Sequence, residues 1–354
     1  MNHRFASAAL LVSLALPLSA QERVQSGERV DLPEARVEVF NAVGTVALHA
    51  TSGTAVTVTA TAQGSDGSQL VFETDHDGSL GRFRVVFPDV DRIATPPELS
   101  RHSSSDLDLR HDGTFGGDHN RRRDDNGVRI GGGSGLQAWA AVEIGIPDGA
   151  EVKVHLAIGR ANADGVNGTV TINAWSADAE ATNIAGDWLF DSGSGKVTVR
   201  GMHGTLRADT GSGDVVLSAV SGDLFDADTG SGSVEATDVQ VERFRFDTGS
   251  GAVRVSNLVA PRGVVDTGSG DANLEFTGGT IDDLSFDTGS GDVNVTLPPN
   301  VDARVSIETG GGDASVERAD AFFERRHDDD TVVRFGQGRG RVRIDTGSGD
   351  VVIR

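Results

Sequence analysis

Apolar residues recur two positions apart throughout the second half of the chain, and polar residues fill the positions between them. This alternation places every second side chain on one face, as in a β-strand with one buried side. The pairs form two sets, one before and one after a glycine-rich string. The first set includes Phe244/Phe246, Leu284/Phe286, Val305/Ile307 and Val342/Ile344, and the second includes Val197/Val199, Val215/Leu217, Val253/Val255, Val293/Val295 and Val351/Ile353. The pattern therefore predicts two short strands in each unit, joined at the glycines.

The glycine-rich string D-T-G-S-G is itself a repeat. Its copies, some of them with one or two substitutions, begin at Asp191, Asp209, Asp228, Asp247, Asp266, Asp287, Glu308 and Asp345. Successive copies are 18 to 21 residues apart except the last two, which are 37 apart and so predict a hidden degenerate copy at His327. In that copy Val333 and Phe335 would supply the apolar pair. A fixed period near twenty residues is typical of stacked repeats.

A single unit of this kind cannot bury its apolar face, so each strand is expected to pair with its equivalent one period away. The sequence therefore predicts an all-β fold, a single-stranded parallel β-solenoid (β-helix) with about 18–21 residues per coil and about eight to thirteen coils. We expect Asp345 to belong to the last corner of the stack. An uncovered strand edge there would favour end-to-end self-association.

The glycines of the string are predicted to be structural. Glycine tolerates positive φ and lets two backbones approach closely, and both properties suit a corner that stacks on its equivalents. Asp and Thr side chains are expected to satisfy the corner amides. The predicted corner glycines are Gly211, Gly213, Gly230, Gly232, Gly249, Gly251, Gly268, Gly270, Gly289, Gly291, Gly347 and Gly349.

The chain divides into four segments. Residues 1–20 are typical of a signal peptide, because a short positive start precedes the apolar run 6–16 and Leu18-Ser19-Ala20 offers a cleavage site. Residues 21–90 are expected to form an irregular N-terminal β region. Residues 91–135 are polar and glycine-rich and are predicted to be a disordered loop. Residues 136–354 form the predicted repeat domain.

Composition narrows the partners. The formal net charge is −22, which disfavours nucleic acid as a ligand. The chain contains no cysteine, so disulfides cannot stabilise it. No later stretch is apolar enough to predict a transmembrane segment. These observations favour an exported protein, periplasmic, secreted or on the cell surface, that meets an unknown surface ligand, either glycan or protein.

The string D-T-G-S also surrounds the catalytic aspartates of aspartic proteases. Such an enzyme needs two carboxylates that share one proton, each contributed by its own lobe. Eight copies at a regular period match a stack of equivalent corners and do not match two lobes. We therefore expect no catalytic residues in the string.

Cation binding is a second hypothesis for the acidic column. Stacked carboxylates about 4.8 Å apart repel one another, and bound Ca²⁺ would relieve that repulsion. The calcium-binding β-roll instead uses the nonapeptide G-G-x-G-x-D, which the chain lacks, so no cofactor is firmly predicted. The cation candidates are Asp209, Asp228, Asp247, Asp266, Asp287 and Asp345.

Aromatic and histidine residues give weaker signals. The three tryptophans, at positions 139, 175 and 188, could line a sugar-binding face, although such residues lie more often in the core or at a coil end. His102, His111 and His119 lie in the polar loop, where a metal site competes with a solvated low-complexity segment.

The order of these elements resembles a known family. The relevant segments are 142–149 (VEIGIPDG), 152–154 (VKV), 165–170 (GVNGTV), the D-T-G-S-G-D-V repeats, and 297–303 (LPPNVDA) followed by 308–310 (ETG). Together they resemble the bacterial "putative adhesin" β-strand-repeat family of unknown function, over roughly 36–354 apart from the polar loop. The resemblance implies an exported, solenoid-like, non-enzymatic protein and supplies no catalytic residues.

The sequence thus favours an exported, non-enzymatic cell-envelope or surface protein of structural or adhesin-like type. The alternative is a carbohydrate-active β-helix enzyme, either a polysaccharide lyase or a hydrolase. Sparse basic residues in the repeats count against a lyase that acts on anionic sugars.

Overall fold

The computed structural model of the protein describes residues 21–99, 105–116, 127–327 and 330–354. Within these ranges the protein is all-β, with 26 strands, two short 3-10 turns (Gly67–Gln69 and Pro97–Leu99) and no α-helix. The predicted signal peptide lies outside the described residues.

The N-terminal strands are β1 (Glu22–Val24), β2 (Arg29–Leu32), β3 (Arg36–Thr51), β4 (Val56–Gln63), β5 (Val71–Asp77), β6 (Leu80–Val86), β7 (Arg92–Ala94), β8 (Ser105–Asp108), β9 (Gly127–Gly131), β10 (Trp139–Pro147) and β11 (Ala150–Asp164). The repeat strands are β12 (Asn167–Ser192), β13 (Val197–Thr210), β14 (Val215–Thr229), β15 (Val234–Thr248), β16 (Val253–Val259), β17 (Arg262–Thr267), β18 (Ala272–Phe276), β19 (Asp283–Thr288), β20 (Val293–Thr296), β21 (Ala303–Thr309), β22 (Ala314–Val316), β23 (Phe322–Arg326), β24 (Asp330–Arg334), β25 (Gly340–Thr346) and β26 (Val351–Ile353).

One long sheet of 23 strands holds most of the molecule. We call each repeat unit a period and name it after the acid that begins its glycine-rich string. The strands of each period pair in parallel with those of the neighbouring period, with equivalent residues opposite each other. Val215 of β14, for example, lies between Val197 of β13 and Val234 of β15. This pairing satisfies the backbone amides of every inner period on both sides.

The apolar pairs of the sequence pattern point inward and form the core. Val215 and Leu217 are 0% and 2% exposed, and the residue between them is only partly buried. Aromatic residues fill the interior behind the first strand of several periods, and the rings of Phe244 and Phe246 stack 4.9 Å apart. The alternation read from the sequence therefore maps onto inside and outside as predicted.

The corner positions must be glycine because the backbones of neighbouring periods lie very close together there. A Cβ placed on Gly270 would overlap the carbonyl oxygen of Gly251 in the neighbouring period, and one on Gly251 would overlap that of Gly232. None of the predicted corner glycines has the positive φ that we also expected, so that part of the prediction was wrong. The corner turns with ordinary backbone angles, and the missing side chain leaves room for the neighbouring backbone.

Left-handed backbone occurs instead at a second corner, in five consecutive periods. Residues at equivalent positions along the stack have φ between 53° and 74°, namely Asn183, Gly201, Ala219, Asp238 and Asn257. The side chains of two of them form a ladder, in which Asn257 Nδ2 donates to Asp238 Oδ1 at 2.8 Å. Asn and Asp tolerate this conformation better than most residues, and Ala219 does so without side-chain help.

The last periods do not follow chain order. Asp345 lies opposite Asp287 on one side and opposite Glu308 on the other, so the period of Asp345 is inserted between those two. The prediction that Asp345 marks the last corner was therefore wrong. Glu308 belongs to the outer period.

The hidden copy near His327 is a hairpin and not a further coil. Strands β23 and β24 pair antiparallel, and β24 runs antiparallel to β21, with Val333 opposite Val305. The segment has no glycine corner, so it can reverse direction where the other copies cannot. The hairpin covers β21, and β23 and β22 become the strands at this end of the sheet.

At the other end, residues 21–90 extend the same sheet. Strand β3 pairs in parallel with β11, placing Val37 opposite Val152, and β6 pairs in parallel with β3. Strands β1, β2, β4 and β5 join through antiparallel pairs.

The predicted disordered loop at 91–135 is ordered where the structure describes it. Strands β7, β8 and β9 form a separate three-stranded sheet, in which Ile93, Leu107 and Ile130 are fully buried. These few apolar residues suffice because they join the main core. Residues 100–104 and 117–126, with His102 and His119, lie outside the described residues.

Replacing Gly270 with alanine should destabilise the protein, because the new Cβ meets the backbone of the adjacent period. Overpacking of this kind costs roughly 1–3 kcal/mol or more, measurable as a shift in the midpoint of denaturant unfolding. The matched control is Gly278→Ala, where a Cβ would have no atom within 4 Å. Equal stability of the two variants would contradict the close-approach explanation.

Candidate functional site

A column of buried hydroxyls lies directly behind the glycine corner. Thr248 shows the arrangement: its Oγ1 accepts a hydrogen bond from Gly251 N at 2.9 Å and donates one to the carbonyl oxygen of Gly232 at 3.1 Å. The hydroxyl thus fixes the turn and links it to the neighbouring period. The members of this column are Ser192, Thr210, Thr229, Thr248, Thr267, Thr288, Thr309 and Thr346.

Acidic residues at the far side of the corner bind the backbone of the next period. Asp214 Oδ1 accepts from Ser233 N at 3.0 Å, and Asp292 Oδ1 accepts from Asp350 N at 2.8 Å. We call these the trailing acids; the set is Asp214, Asp271, Asp292 and Asp350. Where the position holds serine instead, as at Ser233, its Oγ accepts from Ala252 N at 3.3 Å.

The leading acids, which begin each string, are different because they face solvent. The set is Asp191, Asp209, Asp228, Asp247, Asp266, Asp287, Glu308 and Asp345, and equivalent members lie opposite one another along the stack. Partial burial, and then repulsion from the neighbouring carboxylates, raises the pKa of Asp209, Asp228 and Asp266 above the ordinary value. The corner amides are satisfied by threonine and the trailing acids, so the leading acids gain no such compensation.

One arginine offsets part of this repulsion. Arg245 Nη2 lies 2.7 Å from Asp247 Oδ2, and Arg245 Nη1 lies 3.9 Å from Asp226 Oδ1. Both ion pairs are partly exposed, so each stabilises the fold only modestly. Arg245 reduces the repulsion in the middle of the column without removing it, since the pKa of Asp228 and that of Asp266 stay raised.

The cation candidates all lie on this one column, with a single carboxylate per period. In the described part of the chain, no group of three or more His, Asp or Glu side chains is arranged to hold a metal ion. A calcium site normally takes six to eight oxygens. Binding of Ca²⁺ by the leading acids therefore stays a prediction.

A groove of about 540 Å³ crosses the outer face of the second strand in successive periods. Its floor is the backbone over buried residues such as Val255 and Leu274. The polar side chains that line it are Glu235, Thr237, Arg254, Ser256, Asn273, Glu275, Asn294, Thr296 and Arg354. All of them except Arg354, which directly follows β26, come from strands that are held by their neighbours in the sheet.

The groove has equal numbers of acidic and basic side chains. It contains two carboxylates, two guanidinium groups, and a ladder of amides in which Asn294 Nδ2 donates to Asn273 Oδ1 at 3.0 Å. At its end, Arg354 Nε lies 2.9 Å from Glu317 Oε2. Such a surface offers hydrogen-bond donors and acceptors at strand spacing, which suits an extended polar chain.

None of the three tryptophans lines this groove. Trp188 is buried beside Phe190, at a ring distance of 5.6 Å, and its Nε1 donates to the Ala185 carbonyl oxygen. Trp139 is partly buried and donates to Gln63. Trp175 packs against the core. The hypothesis of a tryptophan-lined sugar face finds no support in these positions.

His155 is a buried imidazole that the sequence did not single out. Its ring stacks on Phe40 at 4.2 Å and meets Phe115 edge-on at 6.3 Å. Burial, assisted by Lys153, lowers the pKa of His155 to about 3, so the ring is neutral at ordinary pH. It therefore acts as part of the aromatic packing that seats residues 105–116 on the main sheet.

The groove was not predicted from the sequence. Its residues come from five periods and differ in type, so no single string contains them. The one available signal was the recurrence of asparagine at equivalent outward positions, 273 and 294.

Comparisons with known proteins identify one matching family and one solved structure. The family model described as Toastrack DUF4097 matches residues 122–354. A solved structure of a "putative cell adhesion protein" from Clostridium sporogenes shares 11% sequence identity, covers 96% of this chain and 99% of that chain, and has a TM-score of 0.20. That likeness carries no argument about fold or function. No curated protein matches the chain.

Within the described ranges, no helix has the length and apolar character needed to span a bilayer.

Neutralising the leading acids should stabilise the protein at pH 7. The raised pKa values mean that the charged carboxyls disfavour the folded state, and that this cost disappears as the pH falls through the range where they take up protons. The triple variant D209N/D228N/D266N should therefore melt at a higher temperature than the wild type at pH 7 and low salt, with a difference that shrinks near pH 3.

The control variant is Asp214→Ala, which removes the acceptor for Ser233 N and should lower the melting temperature at pH 7. Each melt is run with and without a chelator, since calcium bound by the column would make the wild type chelator-sensitive. A triple variant that melts below the wild type at pH 7 would contradict the repulsion argument.

Proposed function

We propose that this chain, which belongs to the Toastrack DUF4097 family, is an exported cell-envelope or surface protein. We propose further that it binds a ligand without catalysis. We infer that its parallel ladder is a single-stranded β-solenoid and that the polar groove beside the glycine corner is the contact surface. The groove across β15, β16, β18 and β20 is the observation that carries this proposal.

The support for a binding role is the rigidity of the groove. Its side chains stand on strands that are bonded to neighbouring periods, as when Val255 of β16 lies opposite Ala236 and Leu274. A surface held in this way binds with little loss of conformational entropy. Rigid repeat surfaces are commonly used for extended ligands.

The ligand class follows from the lining. Charges of both signs together with amide and hydroxyl groups favour a polar, extended chain, either a glycan or a polar peptide segment of a surface protein. The leading acids would contribute less to binding because they carry a single charge sign and face solvent. They serve solubility and disfavour anionic partners.

A carbohydrate-active enzyme is the second candidate. Glu235 and Glu275 both line the groove, and paired carboxylates are the usual catalytic groups of glycoside hydrolysis. Product release from a polysaccharide that binds the groove would establish this activity and overturn the proposal of binding alone.

Variants of the groove test the contact surface. Arg254→Ala and Asn273→Ala should each weaken binding to any hit from a glycan or peptide array by about tenfold, which corresponds to roughly 1.4 kcal/mol. The matched control is Arg243→Ala, an exposed arginine outside the groove. The groove is excluded as the contact surface if the control weakens binding as much as the groove variants do.

Export is tested separately. Expression of the full chain in a bacterial host, followed by cell fractionation and N-terminal sequencing, should recover a mature protein outside the cytoplasm that begins at Gln21. Replacing Ala20 with a bulky residue such as tryptophan should block processing. An unprocessed chain confined to the cytoplasm would refute the export part of the proposal and leave the groove unaffected.

A further inference from the structure

The period of Asp345 reaches its place by an unusual route. The chain forms the period of Glu308 and then the hairpin β23–β24, and only afterwards does it return to fill the space next to the period of Asp287. Strand β25 lies between β19 and β21, and β26 lies between β20 and β22. We call the space between those strands the slot, and residues 340–354 the insert.

The slot requires an occupant. Without the insert, β19 and β21 would be two strand spacings apart, about 9.6 Å, too far to bond to each other. The insert also supplies core residues, since Val342, Ile344, Val351 and Ile353 are fully buried. An empty slot would expose both this apolar interior and two unpaired strand edges.

A short hinge connects the insert to the preceding hairpin. Gly336 and Gly338 have φ of 59° and 70°, and Gln337 is exposed between them. Asp302 holds the hinge in place, because its Oδ1 accepts from Gln337 N at 2.9 Å and from Arg339 N at 3.1 Å. The Arg339 guanidinium also pairs with Asp302 Oδ2.

From this arrangement we infer that the slot is a strand-acceptor site, which takes the insert of a second copy of this chain as well as the chain's own. The contacts in the slot are the same whichever copy supplies the insert. The extent of exchange is therefore set by how readily the hinge opens and by the protein concentration. At low concentration the tethered insert is favoured. At high concentration, or with the hinge released, two copies share inserts and form a dimer.

Asp302 sets how readily the hinge opens. Asp302→Asn keeps the size of the side chain but removes the charge that pairs with Arg339 and weakens the bonds to the two hinge amides. This variant should therefore exchange its insert faster and to a greater extent than the wild type, with no change in the residues that line the slot.

Cysteine pairs can detect the exchange because the chain contains no cysteine of its own. Ser285 of β19 and Arg343 of β25 lie opposite each other across the slot edge. A chain with S285C is mixed with a chain with R343C, and a short bismaleimide is added. Cross-linked dimers of these two chains form specifically only when the insert of one occupies the slot of the other.

Two controls accompany the mixture. The double variant S285C/R343C within one chain should cross-link internally, which verifies the register. A mixture of R254C and R343C, whose positions are not opposite each other, measures random collisions. The mixtures are examined both after incubation of folded protein and after joint refolding at high concentration.

We expect the S285C–R343C mixture to exceed the collision control several-fold after joint refolding, and the Asp302→Asn background to raise the yield in folded protein. Yields equal to the collision control in both backgrounds, even after joint refolding, would overturn the inference. Failure of the internal cross-link would overturn it as well, because the slot register would then be wrong. Either outcome leaves the groove and its ligand unaffected.

Discussion

The close contact between glycine backbones at the corner is the constraint on which the rest of the molecule depends. Successive strands are about 4.8 Å apart, and at the corner that spacing leaves no space for a Cβ between Gly270 and the carbonyl of Gly251. Since every period must turn at the same place, the register of all the strands is fixed there. The buried threonines, the acidic columns and the groove all inherit their alignment from this contact.

Much of the architecture could be predicted because it repeats. The spacing of two identified Val215 and Leu217 as inward-facing, and the recurrence of the string identified which residues lie opposite one another. The hydrogen bonding inside the corner was harder to predict from the sequence. Asp and Thr both form local hydrogen bonds to backbone, so the sequence could not show that Thr248 serves the corner amide while Asp247 faces solvent. The left-handed corner could not be predicted either, because its equivalent positions hold residues of different types, such as Ala219 and Asp238.

The order of the last periods could not be predicted for a related reason. A period with the pattern of Asp345 fits equally well between the periods of Asp287 and Glu308 or on the outer side of Glu308, since the repeats are nearly equivalent. What determines the order is the intervening hairpin, whose antiparallel pairing with β21 blocks the outer position. The loss of the glycine string near His327 signalled a departure from the repeat, but not the direction in which the chain would turn. The groove could not be predicted because its residues are outward-facing and belong to five different periods.

The two acidic columns show why composition alone does not locate a function. Asp209 and Asp214 are five positions apart and both exposed, yet one lies in a column of like charges and the other accepts an amide hydrogen bond from the next period. The trailing acids therefore serve the fold, whereas the repulsion among the leading acids is offset only in part, by solvent and by Arg245. A surface whose side chains are neither needed by the fold nor opposed by their neighbours is a better place for recognition. In the described repeats the balanced lining around Arg254 and Asn273 meets that condition, which is why the groove rather than the acidic edge is the stronger candidate for the contact surface.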